Sequence, residues 1–61
     1  MSEQFITVKD VVRLTTLSRA TIDRKVRAGN FPKPIALTER RMVWRQTSVE
    51  AWMAAAVARA A

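Results

Sequence analysis

The stretch LSRATIDRKVRAGNFPK, residues 17 to 33, decides the fold because it marks a helix at both of its ends. Ser18 is a preferred N-cap residue, since its hydroxyl can accept a hydrogen bond from a backbone N–H that the first turn leaves unpaired. Gly29 can take the left-handed conformation that closes a helix, and Pro32 and Pro34 prevent its continuation. These signals predict a short helix that begins at Ser18 and ends before Gly29.

This predicted helix, Ser18 to Ala28, has a narrow apolar side. At 3.6 residues per turn, Ile22 and Val26 fall together on that side. The opposite side carries small and basic residues: Ala20, Thr21, Arg24 and Arg27. Most of the helix is therefore expected to face outward.

A second helix is predicted upstream, from Val8 to about Leu14. Thr7 and Asp10, three residues apart, form a variant of the capping box with aspartate in place of the usual glutamate. Valines at i, i+3 and i+4 give this helix one buried stripe: Val8, Val11 and Val12. The pattern indicates an amphipathic helix packed against the helix that begins at Ser18.

Three residues, Thr15, Thr16 and Leu17, separate the two predicted helices, which is the separation typical of a helix-turn-helix. Leu17 is expected to fill the angle between them. Many such turns have glycine where Thr16 stands, and a β-branched residue resists positive φ. We therefore expect either another turn conformation or modest backbone strain at Thr16.

Apolar residues outside the helices are expected to complete the core. The segment QFI, residues 4 to 6, predicts a short extended stretch in which Phe5 and Ile6 are core contacts. Residues 30 to 34, NFPKP, are extended because proline fixes its own φ and restricts its predecessor. Phe31 is expected to pack under the helix pair.

Two short apolar segments, IAL at 35–37 and MVW at 42–44, predict a two-stranded hairpin. Period-two alternation places four side chains on one shared face of this hairpin: Ile35, Leu37, Met42 and Trp44. The intervening loop, residues 38 to 41, has none of the glycine, asparagine or proline residues that tight hairpin turns favour.

A third helix is predicted at the end of the sequence, where Thr47 and Glu50 have capping-box spacing. Apolar residues then recur at i, i+3, i+4, i+7, i+8 and i+11: Val49, Trp52, Met53, Ala56, Val57 and Ala60. This pattern predicts a core-facing helix. Trp44 and Trp52 both fall on apolar faces, which favours core packing over base stacking.

The predicted fold class is mainly α with a small β-hairpin: a minimal winged helix-turn-helix of helix-turn-helix, two-stranded wing and C-terminal helix. Its 61 residues allow a single domain, 1 to 61, with a small core. With no cysteine or histidine, neither disulfides nor a usual zinc site is expected, and no cofactor is expected. There is no signal-like or membrane-length apolar run, so a soluble, cytoplasmic protein is the default expectation.

The net charge of +6 comes largely from arginine, which outnumbers lysine eight to three. A guanidinium group matches phosphate and the guanine edge, so an arginine-rich excess favours nucleic acid as a partner. GC-rich genomes also favour arginine, and any single arginine can simply keep a surface solvated. The positions of the basic residues therefore decide between nucleic-acid binding and a merely solvated surface. Residues 19 to 33 alone carry five basic residues against Asp23, a net charge of +4.

In a helix-turn-helix the second helix enters the major groove of double-stranded DNA. Arg24 is the best candidate for a guanine contact, and Ala20 and Thr21 are small enough to approach a thymine methyl. Arg40 and Arg41, at the tip of the predicted wing, are expected to contact the DNA backbone or to enter a narrow minor groove. The full set of predicted DNA-binding residues is Ser18, Arg19, Ala20, Thr21, Arg24, Lys25, Arg27, Lys33, Arg40 and Arg41. Asp23 either accepts from a cytosine amino group or pairs with a neighbouring arginine.

Catalysis is not expected. The sequence has no histidine, cysteine, Gly-rich phosphate loop or clustered carboxylates. The composition and motifs therefore indicate a binding protein and argue against an enzyme.

Four pieces of the sequence together resemble the AlpA family of phage and prophage regulators: SRATI at 18–22, GNFPKP at 29–34, RRMVW at 40–44 and VEAW at 49–52. That family is related to excisionase-type and MerR-type winged helices. The resemblance implies DNA binding by the helix from Ser18 and by the wing. It also implies control of a mobile element, through activation of an integrase gene or as a recombination directionality factor that bends attachment-site DNA.

The sequence departs from the family pattern at four positions. Members often have an aromatic residue where Asp23 stands, an apolar residue where Lys25 stands, and glycines where Thr38 and Glu39 stand. These departures bear on the target sequence and on the geometry of the wing.

The expected partner is double-stranded DNA at promoter or attachment-site repeats, bound by several copies because one small module makes few contacts. An integrase is a further candidate partner. Two alternatives remain open: a protein-interaction module that binds an integrase or a repressor, and a basic amphipathic peptide that acts on anionic membranes.

Overall fold

The computed structural model describes residues 4 to 60, which form three helices and a three-stranded antiparallel sheet. In chain order the elements are β1 (Phe5–Ile6), α1 (Val8–Thr15), α2 (Arg19–Ala28), β2 (Ile35–Ala36), β3 (Met42–Arg45) and α3 (Gln46–Ala60). The mainly α class is confirmed. Residues 1 to 3 and 61 of the predicted domain lie outside the described residues, and within 4 to 60 no helix is both long and apolar enough to cross a membrane.

Helix α1 begins at the predicted capping box. The Asp10 carboxylate accepts hydrogen bonds from the backbone N–H and the hydroxyl of Thr7, both at 3.2 Å. At the other end Thr16 has a φ of 62°, and its N–H donates to the Val12 carbonyl at 2.8 Å. Of the two expectations for this turn, the structure shows the strained one, because a β-branched residue occupies the left-handed region.

Helix α2 is closed at both ends as predicted. The Ser18 hydroxyl accepts from the Thr21 backbone N–H at 3.2 Å, and Gly29 has a φ of 79°. The Gly29 and Asn30 N–H groups donate to the carbonyls of Val26 (3.1 Å) and Lys25 (2.8 Å), which is the paired bonding of a Schellman motif. Two caps with local hydrogen bonds therefore define the length of α2.

The sheet has one strand more than predicted. Strand β3 lies in the centre, pairing with β1 on one side and with β2 on the other, both antiparallel. The extended stretch at Phe5–Ile6 is confirmed, and it joins the sheet because Ile6 pairs with Trp44. Ile6 is buried, but the prediction that Phe5 is a core contact was wrong, since its side chain is 47% exposed.

The predicted face of the hairpin was also wrong. Ile35 pairs with Val43 and Ala36 with Met42, so Ile35 and Met42 lie on opposite faces. Period-two alternation does not identify the buried face of β3, because the adjacent residues Val43 and Trp44 are both buried. The two residues expected on the apolar face near the loop are exposed: Leu37 and Met42.

The core lies where α1, α2, β3 and the start of α3 meet. Its buried cluster consists of Ile6, Val11, Ile22, Phe31, Trp44 and Val49. Phe31 packs there as predicted, with edge contacts to Trp44 at 6.4 Å and to Trp52 at 4.7 Å between ring centroids. The Trp44 indole N–H donates to the Pro32 carbonyl at 2.8 Å, so its polar atom is satisfied within the protein.

Helix α3 begins at Gln46, immediately after the last residue of β3, so it starts two residues earlier than a cap at Thr47 predicts. The Gln46 N–H donates to the Gln4 carbonyl at 2.9 Å, and its side chain donates to Glu50 at 3.1 Å. Val49 is buried, whereas Val57 is 69% exposed, so the helix faces the core only in its first half.

Candidate nucleic-acid interface

The outward side of α2 is accessible in the structure. Ala20, Arg24 and Arg27 are exposed, as are Ser18 and Arg19 at the start of the helix. Ile22 on the opposite side has no exposed surface, which fixes the orientation of the helix on the core. The predicted division of α2 into a narrow buried side and a broad outer side is therefore confirmed.

Hydrogen bonds between side chains position Arg24 on this outer side. Its guanidinium Nη2 donates to the Thr21 hydroxyl oxygen at 3.2 Å, and that oxygen lies 2.9 Å from the hydroxyl oxygen of Ser18. Ser18 is itself held by the backbone N–H of Thr21. Since a guanidinium has five N–H donors in a fixed fork, the bond to Thr21 orients the group and leaves donors for a ligand.

A cleft of about 390 Å³ separates α2 from the β2–β3 hairpin, and we call it the hairpin-side cleft. Arg19 and Arg27 border it from the helix, and Arg40 borders it from the hairpin. Asp23 also lines it, and in the described part of the chain this carboxylate forms no ion pair with either helix arginine. The fold thus brings together three predicted arginines that lie up to 21 residues apart in the sequence.

The tip of the hairpin is formed without glycine. The Thr38 hydroxyl oxygen accepts from the backbone N–H groups of Arg40 (3.3 Å) and Arg41 (3.1 Å), and the Leu37 N–H donates to the Arg41 carbonyl at 2.9 Å. Among the described residues the positive φ angles belong to Thr16 and Gly29, so the tip needs no left-handed residue. Arg40 and Arg41 are both exposed there, and Arg40 is the one that borders the cleft.

Lys25 lies on the other flank of α2. Its ammonium nitrogen is 5.9 Å from the centroid of the Trp52 ring, and its side chain is half-buried between α2 and α3. It borders a second groove together with Arg59, a residue that the sequence reasoning missed. Lys33 is exposed beyond the end of α2. It is not one of the described residues that line the hairpin-side cleft or this second groove.

A sequence signal for Arg59 does exist. Ser48, Trp52, Ala55 and Arg59 are spaced at i, i+4, i+7 and i+11, which places them on one helical face beside the apolar stripe. The apolar stripe indicates the core-facing side of α3, whereas the neighbouring face is a groove wall only because α2 packs beside it.

The geometry defines a class: a small three-helix protein that presents a doubly capped, arginine-bearing helix beside a basic hairpin. Residues 4 to 57 match the model of the family described as "Prophage CP4-57 regulatory protein (AlpA)". The chain belongs to the AlpA family of prophage regulatory proteins, which confirms the resemblance in its sequence motifs.

A relative from Enterobacteria phage P4, described as "Uncharacterized protein ORF88", is 39% identical to the chain over 56 residues. The match covers 92% of this chain and 64% of the relative. The match therefore spans less than two thirds of that phage protein's length.

Proposed function

We propose that this protein is a sequence-specific double-stranded DNA-binding regulator of a phage or mobile element, built as a winged helix-turn-helix. In this proposal α2 is the major-groove helix and the β2–β3 hairpin is the wing. The observation that supports it most is the outer side of α2, where Arg24 is exposed and oriented by Thr21 and Ser18. Its membership of a prophage regulatory family supports the same function.

The residues on α2 suit the chemistry of base recognition. The major groove of B-DNA is about 12 Å wide and admits one helix, and guanine offers two acceptors that a guanidinium fork can meet at once. Arg24 supplies that fork. Ala20, one turn earlier on the same side, has a methyl group alone and lets the helix backbone approach the base edges closely.

The hairpin-side cleft suits a phosphate group. Arg19, Arg27 and Arg40 surround it, and arginine is the residue best matched to phosphate oxygens. Phosphate contacts position a protein on DNA, whereas base contacts specify the sequence. We assign these three arginines to positioning and Arg24 to specificity, with Arg41 beside the backbone at the wing tip.

The biological role that fits this chemistry is transcriptional control, direction of excision, or both. Several copies bound to repeated sites at a promoter or an attachment site would supply the affinity that one small module lacks. An integrase is the partner expected for the excision role. Footprinting on DNA flanking the gene separates the two roles, since protected repeats at a crossover site indicate excision and protection at a promoter indicates transcriptional control.

The proposal is tested by selecting duplexes from a random-sequence library and measuring binding of Arg24→Ala to the selected duplex. We expect a loss of about 5- to 150-fold, equivalent to about 1–3 kcal/mol, and a weaker preference among bases at one position. Arg13→Ala is the matched control, because Arg13 is an exposed arginine on α1 that is paired with Asp10 at 2.7 Å. It should change affinity by less than about 2-fold.

Salt dependence gives a second test. With about 4 to 6 phosphate contacts, the logarithm of the binding constant should fall against the logarithm of salt concentration with a slope of about −4 to −5. A slope near zero, together with no enriched duplex in the selection, would overturn the proposal. In that case the alternative is a protein-interaction module that uses the same surface. Charge reversal at Arg24 should then weaken binding to a protein partner, such as an integrase or a repressor, in the absence of DNA.

A further inference from the structure

A second basic surface lies on the flank of α2 that faces away from the hairpin. We call it the α2–α3 groove, and it has a volume of about 820 Å³. One wall is the end of α2 with the segment that follows it, and the other is one face of α3. Two aromatic residues line the groove, Phe31 and Trp52, together with four residues that have polar or charged side chains: Lys25, Asn30, Ser48 and Arg59.

The charge of this groove favours an anionic ligand. Lys25 and Arg59 are its two charged residues, and none of the described residues that line it is acidic. The hairpin-side cleft, by contrast, includes the carboxylate of Asp23. Ser48 and Asn30 add an uncharged hydroxyl and amide, which are also common phosphate contacts in DNA-binding proteins.

Three contacts position Trp52 and Lys25 along the groove. The Trp52 indole N–H donates to the Asn30 carbonyl at 2.7 Å, and the Phe31 ring lies 4.7 Å from the Trp52 ring, centroid to centroid. The ammonium of Lys25 lies over the Trp52 ring at 5.9 Å. A cation near an aromatic face is attracted by the ring, so Lys25 is directed towards α3 and the groove.

The position of Lys25 relative to Arg24 determines which part of a duplex it can reach. Successive residues are about 100° apart around a helix, so Lys25 points to the side when Arg24 points into the groove. An inserted helix is flanked by the phosphates of both strands. Arg19, Arg27 and Arg40 occupy the flank at the hairpin, and Lys25 occupies the other.

We propose that Lys25 and Arg59 bind phosphates of the second DNA strand, so that α3 contributes directly to DNA binding. This inference rests on the proposed function, because it requires α2 to lie in the major groove. It assigns a role to the exposed end of α3, which the core does not require. It also makes Arg59 a positioning residue for DNA.

Neutral variants test the proposal on the duplex selected from the random library. Lys25→Gln and Arg59→Gln should each make the salt slope shallower by about 0.9, and the double variant by about 1.8. Binding to the selected duplex and to a scrambled duplex should weaken by the same factor, since phosphate contacts carry no sequence information. Circular dichroism of each variant checks that the helices are retained.

A matched gain of charge provides the control. Ala55 lines the α2–α3 groove and Ala54 does not, although both are exposed neighbours on α3. Ala55→Lys should steepen the salt slope by about 0.9, because it adds a cation beside Arg59. Ala54→Lys adds the same charge about 100° around the helix, and its slope should stay within about 0.3 of the wild-type value.

The outcomes separate this inference from the proposed function. If Arg24→Ala destroys sequence preference while the four groove variants leave the slope unchanged, the second-strand contact is overturned and the proposed function stands. If wild-type protein shows no salt-dependent DNA binding, the proposed function itself fails. Poly-L-glutamate is the competing probe: selective shifts of Lys25 and Arg59 amide resonances, with unchanged DNA slopes, would assign the groove to an acidic polypeptide and overturn the inference.

Discussion

Helices α2 and α3 relate to the core in opposite ways. Helix α2 has ten residues, a narrow apolar side, and caps at both ends, and its Ile22 has no exposed surface. Helix α3 has fifteen residues and an apolar repeat along its length, yet its Val57 is 69% exposed. Periodicity thus identifies the side of a helix that can be buried, whereas the extent of burial depends on what lies opposite.

The difference follows from the size of the chain. A protein of 61 residues has few elements with which to cover a helix of fifteen residues, about 22 Å long. Strand β3 packs against α3, and Val49 in the first half of α3 is buried. The second half extends beyond this cover and leaves Arg59 and the wall of the α2–α3 groove accessible.

The largest expected effect comes from removing the anchor of α2. Ile22→Ala should lower the free energy of unfolding by about 2–5 kcal/mol, because it empties a fully buried position. Val57→Ala, the matched truncation on α3, should change it by less than about 0.5 kcal/mol. Urea denaturation followed by circular dichroism measures both. Equal losses at the two sites would refute the contrast between the helices.

A smaller effect is expected at the two tryptophans. Trp44→Phe should cost about 1–3 kcal/mol, since it leaves the Pro32 carbonyl without its 2.8 Å hydrogen bond at a position 4% exposed. Trp52→Phe removes a similar bond to Asn30 at a more exposed place, where water can replace it. Its loss should be about half as large. Reversal of this order in thermal or urea unfolding would show that α3 is anchored more strongly than its exposure suggests.

The N-cap of α2 should contribute about 1 kcal/mol. Ser18→Ala removes the hydroxyl that accepts from the Thr21 N–H, and Ser18→Asn is the control because asparagine caps equally well. Amide hydrogen exchange in the first turn of α2 reports the local effect. Faster exchange in the alanine variant, but not in the asparagine variant, is expected, and identical exchange in both would contradict the assigned cap.

The smallest effect concerns the turn between α1 and α2. Thr16→Gly should relieve a β-branched residue with a φ of 62°, worth about 1–2 kcal/mol. Glycine also gives the unfolded chain about 0.4–1 kcal/mol more conformational entropy. The net expectation is a stabilisation of up to about 1 kcal/mol in urea unfolding. Destabilisation would show that contacts of the threonine outweigh its backbone strain.

Much of the candidate interface could be predicted from the sequence, since exposure and orientation on α2 follow from helical spacing and caps. Arg24 is on the outer side, and the arginines at 19 and 27 lie on the hairpin flank. The meeting of Arg40 with these two residues, and the turn of Lys25 towards Trp52, could not be predicted. Both depend on how separate elements pack, and no local sequence pattern encodes the distance between residues on different elements.

The sequence by itself determined the local features: the capping residues of α1 and α2, the left-handed Gly29, and the face of each helix that is apolar. These depend on groups within about one helical turn, where spacing along the chain is also spacing in the structure. The tertiary structure alone decided the pairing of Ile6 with Trp44, the register of Ile35 with Val43 and the exposed end of α3. Those features depend on contacts between distant residues, for which several arrangements share the same local pattern.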